Sequence, residues 1–168
     1  ALGLNPGRYF VMTLHRPSNV DSRDQLAAIF DEVESNSRDY PIIFPVHPRT
    51  RKNMEQFRLA LNRVHLNEPL GYLEFNYLVK HACGVITDSG GITEETTVMG
   101  VPCVTLRNST ERPETITEGT NVLIGTDPSR LGPEIGKMVK RDWKKGSIPE
   151  LWDGRAAERI VDVILNKL

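Results

Sequence analysis

Apolar residues fall in short continuous runs that alternate with longer stretches of helical spacing. The run from Tyr9 to Leu14 leads into His15-Arg16-Pro17-Ser18-Asn19, so the pattern predicts a strand that ends in a loop at His15. From Ser22 to Ser37, Leu26, Ile29, Phe30 and Val33 recur on one helical face, with Asp21 or Ser22 as the cap. Pro41 to Val46 reads as a second, buried strand despite its prolines, and His47-Pro48-Arg49-Thr50 as the polar loop after it. Met54, Phe57 and Leu61 then carry a helical stripe that ends near Asn62, and Val64 to Leu66 a short strand. Asn67-Glu68-Pro69-Leu70-Gly71 breaks the chain before a short helix over Tyr72 to His81.

The next stretch, Val85 to Pro102, repeats the alternation in its tightest form. Val85-Ile86-Thr87 predicts a strand, Asp88-Ser89-Gly90-Gly91 a turn, and Ile92 to Met99 a helix closed by Gly100 and Pro102. Cys103 to Leu106 is another apolar run, followed by a long polar loop, Arg107 to Glu114. Asn121 to Ile124 predicts the last strand, Pro128 to Lys140 a helix, and Ala156 to Leu168 a closing amphipathic helix through Ile160, Val161 and Ile164. Such alternation predicts an α/β fold: a Rossmann-like, three-layer domain with a mainly parallel sheet of about six strands and right-handed crossovers. Ligands of these sheets bind beyond the carboxyl ends of the strands, where His15, His47, Ser89 and Arg112 are expected.

Length and composition narrow the setting. With 168 residues, 39% hydrophobic and 26% charged, the chain has the size and balance of one globular domain. Twenty-one Lys and Arg against 22 Asp and Glu leave a net charge of -1, so nothing global favours nucleic acid or an anionic membrane. Any positive site must be local. Cys83 and Cys103 sit beside or within predicted strands, no metal-ligand spacing appears, and no signal peptide or membrane-length apolar run is present. A reduced, cytoplasmic protein without metal or cofactor is the expectation. The opening ALGLNPGR runs at once into a strand, which is read as a fragment that a second domain precedes.

The candidate chemistry gathers on the glycine turn. Gly90 and Gly91 let the backbone approach a ligand, and the N–H groups of the first helical turn, with the positive end of the helix dipole, favour an anion such as a diphosphate. Glu94 and Glu95 are placed in the first helical turn, where Glu94 reads as charge complementarity at a helix start. Glu95 follows Gly91 by four residues and returns to the same face, where a carboxylate can hold the two hydroxyls of a ribose. His15, at a strand end, is a candidate cation for a phosphate, and Arg16 and Arg112 are either phosphate ligands or surface ion pairs. His47 reads first as a loop stiffener, and Tyr72 and Phe75 as core residues on a helix near the ligand edge. Asp88-Ser89-Gly90-Gly91 also resembles the segment around the nucleophile of trypsin-like proteases. A strand-turn-helix context, and Thr87 where an α/β-hydrolase elbow has glycine, argue against a hydrolase.

Taken together, HRP at His15 to Pro17, PVHP at Pro45 to Pro48, TDSGGITEE at Thr87 to Glu95, GVP at Gly100 to Pro102, TERPE at Thr110 to Glu114 and EGT at Glu118 to Thr120 give the resemblance. Over nearly its whole length the chain resembles the C-terminal half of the non-hydrolysing UDP-N-acetylglucosamine 2-epimerases, which have the two-domain GT-B architecture. The resemblance implies that Ser89, Gly90 and Gly91 hold the diphosphate of UDP, that Glu95 takes the ribose, and that Phe75 borders the uracil. His15 and Arg112 would stabilise UDP as a leaving group from a UDP-N-acetylhexosamine. The acid and base would come from the absent N-terminal domain, and the full protein would be a homodimer. Some members use the neighbourhood after PVH as an allosteric site, which makes His47 a candidate allosteric residue, although Pro48-Arg49-Thr50 departs from their asparagine-containing pattern. Two competing readings are a GT-B glycosyltransferase donor domain and a non-catalytic nucleotide-sugar binding module.

Overall fold

The computed structural model describes residues 3–59 and 61–167. In chain order its elements are β1 (Phe10–Thr13), α1 (Pro17–Val20), α2 (Arg23–Asn36), β2 (Ile42–Pro45), α3 (Pro48–Phe57), β3 (Val64–Asn67), α4 (Tyr72–Lys80), β4 (Gly84–Thr87), α5 (Gly90–Met99), β5 (Cys103–Thr105), α6 (Glu114–Thr117), β6 (Asn121–Leu123), α7 (Leu131–Lys140) and α8 (Ala156–Lys167). The strands form one six-stranded sheet in the order β3-β2-β1-β4-β5-β6, and every pair is parallel. This is the doubly wound Rossmann order, in which the chain starts at the centre and winds outward to each edge.

Strand periodicity sorts the apolar residues onto the two faces of the sheet. Phe10, Met12, Ile42, Phe44, Ile86 and Val104 point into a core closed by Leu26, Ile29 and Val33 of α2 and Leu131, Ile135 and Met138 of α7. Val11, Ile43, Val85 and Cys103 point the other way, against Leu78 and Val79 of α4 and Ile92 and Met99 of α5. Both faces of β1, β2 and β4 are therefore covered, which is why their sequences read as unbroken apolar runs. Burying each such side chain stabilises the fold by about 1.5–3 kcal/mol.

Helix ends depart from the sequence pattern in instructive ways. Ser22 caps α2 by accepting the Gln25 N–H, as expected. His47-Pro48-Arg49-Thr50 is not a loop: Pro48 is the first residue of α3, and the His47 Nδ1 accepts the Arg49 N–H at 3.3 Å. Proline suits that position because its missing N–H has no helical partner there. The same helix stops at Phe57, short of Asn62, because Arg58 turns left-handed at φ 52° and donates its N–H to the carbonyls of Met54 and Glu55. Ala60 lies outside the described residues, as do Ala1, Leu2 and Leu168.

Helix α5 begins two residues earlier than its apolar pattern indicates. Ser89 is the extended residue at its start, Gly90 and Gly91 are helical, and Gly100 ends it at φ 69°. Glu94 and Glu95 accordingly lie in its second turn, not its first. On the buried side of α5 three threonines satisfy their own hydroxyls by donating to helix carbonyls: Thr93 to Gly90, and Thr96 and Thr97 to Thr93.

The last helix behaves differently from its neighbours. Although α8 is amphipathic, Ala156–Asn166 are exposed apart from the half-buried Arg159. Ile160, Val161, Val163, Ile164 and Leu165 are each about half exposed or more. Trp143, before it, packs at the edge of the first core and donates its indole N–H to the Thr120 carbonyl at 2.7 Å. None of the helices described is long and apolar enough to cross a membrane.

Candidate nucleotide site

The chain reverses its winding direction at β1, so the loop after β1 and the loop after β4 separate and leave a crevice between them. A cavity of about 320 Å³ occupies that crevice, lined by Thr13, Leu14, His15, Pro45, His47, Pro69, Leu70, Phe75, Ser89 and Ile92. Four residues singled out in the sequence, His15, His47, Phe75 and Ser89, thus meet on one cavity, from four different segments. Its walls are mixed: prolines, Leu70, Phe75 and Ile92 make one side apolar, while the imidazoles and the start of α5 make the other polar.

The polar side is built on Asp88, the residue after β4. Its side chain is fully buried, and every neighbour in reach is a donor. Oδ1 lies 2.7 Å from the His15 Nδ1 and accepts the His15 N–H at 3.1 Å. Oδ2 accepts the Arg16 N–H at 2.9 Å and the Asn19 amide at 3.1 Å. Burial alone would raise this carboxyl, but the bonds from His15, Arg16 and Asn19 hold it below the usual carboxylate value. The Asn19 amide also donates to the Leu106 carbonyl at 3.1 Å, and the Arg16 Nε to the Asp88 carbonyl at 3.0 Å. One carboxylate thereby ties the ends of β1, β4 and β5 together and sets the His15 ring over the cavity.

Helix α5 presents its start to the same cavity. The Ser89 hydroxyl caps no helix N–H, while the Ser89 N–H donates to the Thr87 hydroxyl at 3.0 Å, so the side chain is left for a ligand. A Cβ on Gly91 would meet nothing within 4 Å; the space above it is open to a close approach. Gly90 is constrained from below, because a Cβ there would lie 3.1 Å from the Arg107 Nη1.

Arg107 itself is buried, 8% exposed, and its Nη2 bonds Glu111 at 2.7 Å. The hydrogen bond from Arg107 leads the causes that hold the Glu111 carboxyl down to about 2. A buried guanidinium therefore sits directly beneath Gly90, the first residue of α5. Arg112 is exposed and its Nε pairs with Glu94, so both sequence readings of these two residues, complementarity and surface pairing, meet in one contact. Glu95 is half-buried, and its carboxylate has no hydrogen bond among the described residues. Tyr72 stands 70% exposed rather than in the core, whereas Phe75 packs against the second core and reaches the cavity. Neither Glu95 nor Arg112 lines the cavity; they stand on α5 and on the loop before α6, beside it.

Asp88, Asn19 and Arg107 escaped the sequence reading. Asp88 was visible as the residue between a buried strand and a glycine turn, but its partners lie 69 to 73 residues away.

A doubly wound sheet with a polar crevice at its switch point and an open helix start beside it defines the class, a Rossmann-like α/β domain. The match to known proteins is specific: the UDP-N-acetylglucosamine 2-epimerase family model covers residues 2–165, and the chain belongs to that family. A UDP-N-acetylglucosamine 2-epimerase of Methanocaldococcus jannaschii is 41% identical over 93% of the chain and 44% of its own length. A UDP-2,3-diacetamido-2,3-dideoxy-D-glucuronate 2-epimerase of Pseudomonas aeruginosa is also 41% identical, over 93% of the chain and 44% of its length. The crystal structure of the M. jannaschii epimerase in complex with UDP-GlcNAc and UDP superposes with a TM-score of 0.77 at 40% identity, covering 94% of this chain and 45% of that one. The chain thus spans less than half the length of the relatives it matches.

Proposed function

We propose that this chain is the UDP-binding half of an epimerase that interconverts UDP-N-acetylglucosamine and UDP-N-acetylmannosamine by eliminating and re-adding UDP. The observation that carries this reading is the convergence of His15, His47, Phe75 and Ser89 on one cavity beside the open start of α5. The N–H groups of Gly90 and Gly91 and the Ser89 hydroxyl hold the diphosphate, helped by the helix dipole. Phe75 and the apolar wall take the uracil, and Glu95, one turn below Gly91, takes the ribose hydroxyls. His15 contacts a phosphate directly. Arg112 leaves Glu94 to close its guanidinium fork on the diphosphate, an exchange of one anion for another. Charge that develops on UDP as the C1–O bond breaks is stabilised by the same groups.

No redox cofactor enters such a reaction, because the proton removed from C2 is replaced on the opposite face and the net change is stereochemical. The acid and base, and most contacts to the sugar, are assigned to an N-terminal half, consistent with the 44% of the relatives' length that the chain spans. The sugar is a UDP-linked 2-acetamido hexose; the name of the Pseudomonas relative favours tolerance of further substituents in this family. His47, on the cavity wall, is the candidate for contact with a second nucleotide sugar. A homodimer and a cytoplasmic setting complete the reading, the latter supported by the free thiols of Cys83 and Cys103.

Calorimetric titration of UDP and of uridine tests it. Binding that needs the phosphates, and that weakens roughly tenfold or more in Glu95→Ala and in Arg112→Ala, is the expected result. Equal affinity for uridine and UDP, or full affinity in both variants, would place the nucleotide elsewhere. The chain alone should convert no UDP-N-acetylglucosamine, and measurable turnover by it would refute the assignment of the acid and base to another half.

A further inference from the structure

We infer that Asp88 and His15 form a dyad in which the carboxylate fixes the imidazole as its Nδ1–H form, so that phosphate binding at Nε2 is coupled to uptake of one proton. The inference rests on the reading of the crevice as a UDP site and adds to it a positioning residue, Asp88, and a mode of control.

The geometry leaves little choice of protons. Asp88 is fully buried and meets only donors: the backbone N–H groups of His15 and Arg16, the Asn19 amide, and the His15 ring. Three of these contacts are fixed N–H donors, and with the ring they hold the carboxyl below its usual value, so at neutral pH the group is an ionised acceptor. The His15 Nδ1, 2.7 Å from Oδ1, must then carry hydrogen. In the neutral ring Nε2 is left as a lone pair, and it is the nitrogen free to face the cavity that His15 lines. A lone pair repels a phosphate oxygen. When a diphosphate docks, a proton from solvent adds to Nε2, the N–H so formed donates to the phosphate, and the Asp88 carboxylate balances the imidazolium across the ring. Nothing is transferred covalently, and the charge change is one proton gained by the complex. Among the described residues, the other charged or titratable groups in contact with His15 or its dyad are Arg16, turned away to the Asp88 carbonyl, and His47, whose ring centroid lies 6.5 Å away. Neither supplies a carboxylate, so Asp88 is the counter-ion.

Asp88→Asn separates this role from a merely structural one. The asparagine oxygen is needed by the backbone N–H groups of His15 and Arg16, which turns its amide N–H toward the ring and forces the tautomer with hydrogen on Nε2. That form donates to phosphate without taking up a proton. Nitrogen-15 NMR of labelled histidine should therefore show Nδ1–H for neutral His15 in the unmodified chain and Nε2–H in the variant. Titration of UDP in buffers of different ionisation enthalpy should show uptake of about one proton by the unmodified chain wherever the unliganded imidazole is neutral, with affinity falling about tenfold per pH unit there. In Asp88→Asn the uptake and the slope should vanish. His15→Gln keeps every backbone bond to Asp88 and should also bind without pH dependence, which covers the case in which the asparagine variant does not fold. An Nε2–H tautomer in the unmodified chain, or the same slope retained in His15→Gln, would overturn the dyad. Failure of the unmodified chain to bind UDP would instead overturn the reading of the crevice and the phosphate contact with it, while the tautomer result still judges the pairing of Asp88 and His15.

Discussion

Gly119 and Asp88 show in opposite ways how closely this backbone is packed. A Cβ on Gly119 would lie 2.4 Å from the Thr97 hydroxyl and 2.7 Å from the Thr115 carbonyl. Backbone cannot retreat as a flexible side chain can, so Gly119→Ala should cost about 1–3 kcal/mol, read as a lower urea midpoint with an unchanged slope. Asp88 has the opposite character, a polar group whose burial is compensated in full. Its folded carboxyl titrates below the ordinary value of 3.8, so its stabilisation is complete above that value and is lost as pH falls through the folded one. Asp88→Asn should therefore be less stable than the parent by about 1–3 kcal/mol at neutral pH, with the gap closing below the ordinary carboxylate value. A gap that stays constant into acid would show that the carboxylate's charge is not what holds the three strand ends. Part of the cavity lining was legible at this scale: His15 and Ser89 stand where the apolar runs of β1 and β4 end. Asp88 and Asn19 were not legible, because a hydrogen bond across about 70 residues of chain leaves no local pattern to read; nor was Arg107, whose place beneath Gly90 depends on how the loop after β5 folds against α5.

At the level of the element, most strands follow from their apolar runs and most helices from their spacing, while the ends of helices resisted. His47-Pro48 looked like a loop because proline breaks helices in their interior, yet at a first position it starts one. Gly90-Gly91 looked like a turn because glycine is a poor helix former, yet Ser89 enters in extended conformation and the two glycines complete the first turn. That shift matters for function. It moves Glu94 and Glu95 out of the first turn, so no carboxylate of the same turn competes for the N–H groups to which the diphosphate is proposed to bind. The other end of α5 depends on Gly100, left-handed at φ 69° with open space around it. Gly100→Ala meets no steric neighbour, so its cost is conformational alone. It should destabilise the domain by about 1 kcal/mol and leave UDP affinity unchanged, since the cap lies at the far end of the helix from the cavity.

For the molecule as a whole, the sheet order made the site before any side chain was placed: starting at the centre opens one crevice, and the loops after β1 and β4 fall on either side of it. Six alternating units were readable from periodicity; the order of the strands in the sheet was not, because it is set by which helix covers which face. The same accounting isolates α8. Helices α2 and α7 contribute Leu26, Ile29, Leu131 and Ile135 to the core at full burial, whereas α8 keeps Ile160, Val163 and Ile164 about half exposed. Periodicity predicted an amphipathic helix there and could not predict that its apolar stripe would stay uncovered by the rest of the domain. Hydrophobic stabilisation follows the area removed from water, so a helix that removes little contributes little. Ending the chain after Arg155 should shift the thermal midpoint by no more than about 2 °C, a change of under ~1 kcal/mol, and should leave the UDP titration as it was. A large drop in the midpoint would mean that α8 docks on the sheet domain in solution, and that the apolar stripe is part of its core.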